Sequence, residues 1–250
     1  MLIGEPARTP YDWSFSLAGI PVRVHPLFWL VALLLGSRNP EPTAVVSWIA
    51  VLFVSILVHE LGHAVAIRYF GWQPQIVLYG LGGLAVYHPG PWNARRGGEP
   101  LTQIIISAAG PLAGFALAAL VIAILSATGH FMPFYFGLRL GTGTVPIADP
   151  RLADLTWDLL FVNIFWGLIN LFPVYPLDGG KISREILVAL HPGDGLRQSL
   201  VLSIAAGGAL AVVAVIYLES IFMAVLFGYL AYGSYQALQG SGGYGGGRPW

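Results

Sequence analysis

The chain has 250 residues, of which 56% are hydrophobic and only 10% charged, and its formal net charge is zero. An ordinary soluble domain carries about 45–50% apolar and roughly 25% charged residues, so this balance suits a protein solvated by lipid. Neutrality gives no basic field for nucleic acid. The lack of cysteine excludes disulfides and thiolate chemistry, leaving nitrogen and oxygen to hold any metal.

Residues 1–19 carry Glu5, Arg8, Pro10 and Asp12 before any long apolar run, which does not fit a basic segment followed by a signal-peptide core. A cleaved export signal is not expected, and residues 1–19 are read as a cytoplasmic segment. Six apolar stretches follow: Pro26–Gly36, Ala44–Phe70, Leu101–Thr128, Leu155–Leu171, Ser199–Tyr217 and Ile221–Leu238. The first reaches spanning length if it begins at Ile20, with Arg23 snorkelling its charge to the interface. The sequence therefore predicts an all-α polytopic membrane protein of about six transmembrane helices. One membrane-embedded domain is expected over residues 20–238, followed by a flexible glycine-rich tail over residues 239–250.

Short cytoplasmic loops collect Lys and Arg. Six spans with both termini in the cytoplasm place Arg8, Arg23, Arg68, Arg95, Arg96, Lys181, Arg184, Arg197 and Arg248 on that side, and leave Arg38, Arg139 and Arg151 on the other. Between the second and third helices, the β-rich runs Gln75–Tyr79 and Leu84–Tyr87 flank Gly80, Gly82 and Gly83. A small interfacial β-hairpin or sheet is expected there. It either covers helix ends or offers an edge strand to an extended substrate. Residues 129–154 read as a non-cytoplasmic loop with a short amphipathic piece around Pro133–Leu140.

The second stretch runs into His59-Glu60-Leu61-Gly62-His63. Residues four apart share a helix face, so His59 and His63 can point at one ion, and Glu60 can move a proton beside it. In a soluble helix these residues could simply face solvent. Three ionisable side chains within a membrane helix instead need a cavity or a partner. Two histidines leave a catalytic zinc site incomplete. The fourth stretch ends in Asn170-Leu-Phe-Pro-Val-Tyr-Pro-Leu-Asp178-Gly179-Gly180, where Pro173 and Pro176 interrupt the helix before a carboxylate. Irregular backbone at membrane depth survives only where protein or a watery cavity receives it, so Asp178 is the candidate third ligand. The alternative is a helix cap or turn aspartate near Lys181 and Arg184. The remaining histidines, His25, His88, His130 and His191, lie nearer interfaces or loops.

The H-E-L-G-H helix, followed over a hundred residues later by N-L-F-P-V-Y-P-L-D-G-G, resembles the site-2 protease family of intramembrane zinc metalloproteases. Gly19–Pro26 is similar to the family's entry into its first helix. The resemblance implies one zinc per chain, held by His59, His63 and Asp178, with Glu60 as general base. It also implies that Asn170 positions the substrate carbonyl or oxyanion, although a helix-to-helix hydrogen bond is an equal reading of that residue, as it is of Asn163. The expected partners are the lipid bilayer and a membrane-protein substrate helix. The expected location is the cell membrane, with the active site toward the cytoplasm. No PDZ or CBS module of the kind that often accompanies the family is recognisable, and oligomeric state is not legible. Ser107-Ala-Ala-Gly110-Pro111-Leu-Ala-Gly114 resembles a small-residue motif of the same family and is read as structural, a GxxxG face continued by Ala118 for close helix approach. The competing functions are a metal transporter, with the histidines and Asp178 as a transit site, and an inactive relative that only binds membrane helices.

Overall fold

The computed structural model describes residues 6–36, 41–80, 82–88 and 99–241. Arg38, Arg95, Arg96 and Arg248, which entered the charge-topology argument, lie outside the described residues, as does most of the expected tail. The chain divides into two compact units, Met1–Arg95 with Ala109–Leu168 and Arg96–Ala108 with Ile169–Trp250.

The first unit opens with strands β1 (Trp13–Leu17) and β2 (Ile20–Val24), joined through Ala18 and Gly19, both at positive φ. Two consecutive residues at positive φ make the tight turn whose twist suits a hairpin. The Arg68 guanidinium donates to the Ala18 carbonyl at 2.6 Å and holds this turn. Ile20, Val22 and Val24 are all buried, as a β-branched strand packed in a sheet requires. Helix α1 (Pro26–Gly36) follows, with the Leu27 amide donating to His25 Nδ1 at 3.2 Å in the role of an N-cap.

The expected extension of the first span back to Ile20 is therefore corrected. Residues 20–24 are strand, and α1 has 11 residues, a rise of about 16 Å against a hydrocarbon core of about 30 Å. Arg23 does not snorkel. Its side chain is 5% exposed and donates to Asp12 Oδ2 at 2.7 Å and to the Pro6 carbonyl at 3.0 Å. A buried guanidinium needs such partners.

Helix α2 (Pro42–Tyr69) ends where Gly71 turns left-handed at φ 86 and the Trp72 amide reaches back to the Ile67 carbonyl. The chain then enters β3 (Gln73–Tyr79) and, antiparallel to it, β4 (Gly82–His88). Strand order is β1-β2-β3-β4, with β2 and β3 parallel, so a four-stranded sheet forms in which β4 is an edge. Ile76, Val77 and Leu78 of the central strand are fully buried.

Helix α3 (Pro100–Ala127) continues through Pro111, and its part from Ala109 onward belongs to this unit. Residues 130–146 form a second small sheet, β5 (His130–Pro133), β6 (Arg139–Leu140) and β7 (Val145–Pro146), with a 3-10 turn at Tyr135–Gly137 in place of the expected amphipathic piece. Tyr135 seats against Trp157, Phe161 and Phe165 of the next helix, with ring centroids 5.3–6.2 Å apart. That helix, α4 (Pro150–Asn170), begins earlier than its apolar stretch suggested, because Asp149 accepts from the Leu152 amide at 3.0 Å and caps it. Within it, Val162–Trp166 opens to π geometry.

The second unit holds α5 (Asp178–Leu190), α6 (Gly195–Ile216) and α7 (Ile221–Ser241) around buried Val174, Phe227 and Leu230. Gly207 allows α6 to approach Ala231 and the Phe227 carbonyl of α7. Among the described residues, α2, α3, α4, α6 and α7 are long and apolar enough to cross a membrane. Their exposed Val54, Leu112, Leu120, Val212 and Val225 suit contact with lipid.

Candidate metal centre

α2 runs for 28 residues, a rise of about 42 Å, and carries His59, Glu60 and His63 past its middle. All three side chains are buried, and each offers a ligand-type atom within 4.8 Å of the others. The two imidazoles meet edge to face, with Nε2 atoms 3.2 Å apart. Two nitrogens bound to one zinc at about 2.0–2.1 Å and a tetrahedral angle stand about 3.3–3.4 Å apart. The pair therefore fits one ion without rearranging the helix. Among the described residues, no other group of three such side chains is close enough to share a metal.

Glycines shape the space around these residues. Gly62, inside the motif, has Ala109 and Ala113 of α3 where its Cβ would be, with Ala113 Cβ at 2.7 Å. Its hydrogen side chain lets α3 lie directly on α2. A Cβ on Gly110 would collide with His63 Nε2 and stand 2.8 Å from His59 Nε2. Gly110 thus faces the metal-type nitrogens, beyond the helix-packing role read from the sequence. Gly114, one turn on, faces Asn163, and a Cβ there would be 3.5 Å from its oxygens, an ordinary contact. Gly83 of the edge strand packs on Glu60, where a Cβ would meet Cγ, Oε1 and Cδ of the carboxylate side chain. The sequence signalled Gly83 only as part of a turn-like cluster, and nothing in it pointed to Glu60.

Asp178 and Asn170 belong to the second unit. Asp178 is the first residue of α5, 3% exposed, and its Oδ1 accepts from Lys181 Nζ at 3.1 Å. The two glycines after it pack on the preceding turn: a Cβ on Gly179 would strike the Leu171 and Phe172 carbonyls, and one on Gly180 would lie 2.5 Å from Val174 and Tyr175 backbone. The D-G-G sequence is thus what lets a helix start directly against the irregular segment 171–177. Asn170 ends α4, half-buried.

The other histidines have local duties. His25 caps α1, His130 contacts Thr128 Oγ1 at 3.2 Å, and His191 ends α5. The His88 side chain lies outside the described residues.

A sequence profile of peptidase family M50 matches residues 47–215, which include His59, Glu60, His63, Asn170 and Asp178. The chain is 30% identical to a zinc metalloprotease of Methanocaldococcus jannaschii over 177 residues, 69% of this chain and 44% of that protein. It is 26% identical to stage IV sporulation protein FB of Bacillus subtilis over 166 residues, 65% of this chain and 46% of that protein. It thus spans less than half the length of these curated relatives. A solved structure of the site-2 protease from Methanocaldococcus jannaschii is similar with a TM-score of 0.54 and 27% identity, over 91% of this chain and 95% of that one.

Proposed function

The chain belongs to peptidase family M50, the site-2 protease family, and from that premise we propose that it is a zinc-dependent intramembrane endopeptidase cutting transmembrane segments of membrane-tethered proteins. Residues 20–238 act as one catalytic domain in the cell membrane. α2 ends with Arg68, whose guanidinium reaches the turn before β2, so Arg23 and Arg68 share one side, and the preference of Lys and Arg for the cytoplasm puts that side and the site there.

The observation that carries the reading is the burial of His59, Glu60 and His63 together on an apolar helix, with the backbone of an edge strand against Glu60. His59 and His63 supply two ligands, and Asp178, buried at the start of α5 after an interrupted helix, supplies the third. Zinc, when bound, provides Lewis-acid stabilisation of negative charge on oxygen and lowers the pKa of water. Glu60 accepts the proton of the attacking water and returns it to the departing nitrogen. Asn170 orients the substrate carbonyl. A helical substrate hides its carbonyls in its own hydrogen bonds, so it must unwind first. Pairing of the unwound segment along β4 would lay a peptide bond beside Glu60.

The test is zinc content per polypeptide, measured after purification in detergent. Wild type and Glu60→Gln are each expected to hold about one zinc and Asp178→Ala to lose it, with Glu60→Gln failing to cut a co-expressed membrane-tethered reporter that wild type cuts. Full zinc retention by Asp178→Ala would remove the third ligand from the proposal. Altered zinc flux without cleavage would replace a protease with a transporter.

A further inference from the structure

Asn163 sits at the one place where α4 departs from α-helical geometry, the π segment Val162–Trp166. Single-turn π openings are uncommon and recur at functional sites. Its side chain is 3% exposed, and Nδ2 donates to Ser55 Oγ at 2.9 Å and to the Leu159 carbonyl at 2.8 Å. Ser55, equally buried, lies four residues before His59 and eight before His63 on α2. Its hydroxyl and the two imidazoles therefore occupy one stripe of the helix. The facing stripe of α3 is made of Gly110, against the imidazoles, and Gly114, against Asn163. Three helices thus meet in a polar layer one turn from the histidines. A buried amide in an apolar membrane protein requires partners, and here they come from two different helices.

We propose that Asn163 and Ser55 are a positioning pair that fixes the roll of α2 and so keeps His59 and His63, which turn together with the helix, in register with the Gly110 face of α3 and with the zinc ligand that another element must supply. A roll of about 10° moves a ring nitrogen some 6–7 Å from the helix axis by about 1 Å, whereas a zinc site tolerates distance errors of only about 0.2 Å. The apolar contacts of α2 are non-directional and fix its roll only through packing. The Asn163–Ser55 hydrogen bond has one geometry. The extra residue of the π segment sets the phase of α4 so that Asn163 aims at Ser55 while Gly167, four residues later, still packs on Phe115. The pair acts on the metal through the histidines. The inference rests on zinc binding by His59 and His63.

The experiment is zinc affinity by chelator competition on the full chain in detergent, for wild type, Ser55→Ala, Asn163→Ala, the double variant and Ser55→Thr, with thermal unfolding of the zinc-free proteins alongside. Orienting partners of metal ligands typically affect affinity by about 10–100-fold. Each alanine variant is expected to weaken zinc binding at least about tenfold, the double variant no further, and Ser55→Thr, which keeps the hydroxyl, to bind like wild type. Affinities within twofold of wild type, even with lowered unfolding temperature, would reduce the pair to ordinary helix packing and overturn the inference. Losses that multiply in the double variant would overturn the pairing. If Asn163→Ala does not fold, Ser55→Ala, which removes a single oxygen, decides alone. Wild type that binds no zinc would overturn the metal assignment itself, an outcome distinct from a loss confined to the variants.

Discussion

The backbone of Gly83 lies directly on the side chain of Glu60, with no room between them for a methyl group. The edge strand and the Glu60 carboxylate therefore share one wall. Gly83→Ala is expected to push the carboxylate aside while leaving His59 and His63 in place. A displacement of about 1 Å costs on the order of 10²-fold in rate. Turnover of a membrane reporter should fall by about that factor with zinc content unchanged, and loss of zinc in parallel would show that the strand supports the histidines instead.

Gly110→Ala and Gly114→Ala separate two roles of one glycine pair. A methyl at Gly110 enters the space of the two imidazoles, whereas one at Gly114 makes an ordinary contact with Asn163. The first is expected to weaken zinc binding by about 10–100-fold and the second to leave it near wild type, both read by chelator competition. Equal effects would restore a purely helix-packing role to both.

Unwinding of the substrate should limit cleavage. Glycine in a helix interior costs about 1 kcal/mol relative to alanine and proline about 3, so a reporter segment containing either should be cut faster than a poly-leucine segment of equal length. The comparison is made by co-expression and immunoblotting. Equal rates would mean that an intact helix is accepted.

Asp12 gives the structure an acid-sensitive tie. Its carboxyl accepts from the Thr9 hydroxyl and from Arg23, which together hold it below the usual 3.8, at about 2, despite the opposing effect of burial. A carboxylate depressed in the folded state stabilises it fully above its ordinary pKa, and that contribution is lost as pH falls through the folded value. Asp12→Asn should therefore melt at a lower temperature than wild type near neutrality, with the difference shrinking as pH drops from 3.8 towards 2. A difference independent of pH would mean that Asp12 acts by shape alone.

The long helices were legible because hydropathy is a strong signal over about 20 residues. The Ala44–Phe70 and Leu101–Thr128 stretches became helices Pro42–Tyr69 and Pro100–Ala127. The metal-type cluster was legible because His59, Glu60 and His63 need only helical spacing to converge. Strands β1 and β2 were not, since Ile20–Val24 adjoins an apolar helix and its buried partner β3 is distant in sequence, so local pattern favoured extending the helix. α5 was missed because Lys181, Ser183, Arg184 and Glu185 gave it the polarity of a loop. The π segment is invisible in principle: Val162–Trp166 has the composition of any membrane helix, and its phase shift exists only once Ser55 is opposite Asn163. Gly83 and Gly110 looked like turn and packing residues because a glycine's neighbours are set by the tertiary fold.

The parallel pairing of β2 with β3 joins strands on either side of α1 and α2. During synthesis, β2 leaves the ribosome roughly 50 residues ahead of β3, which at about 5–20 residues per second is an interval of about 3–10 s. For that time β2 has no second neighbour, and β4, whose Gly83 lies against Glu60, follows β3 in the chain. Closure of the sheet therefore waits for β3 and β4, and it brings the edge strand to Glu60. Any slowing of translation between α2 and β4 would lengthen the interval in which Glu60 has no strand against it.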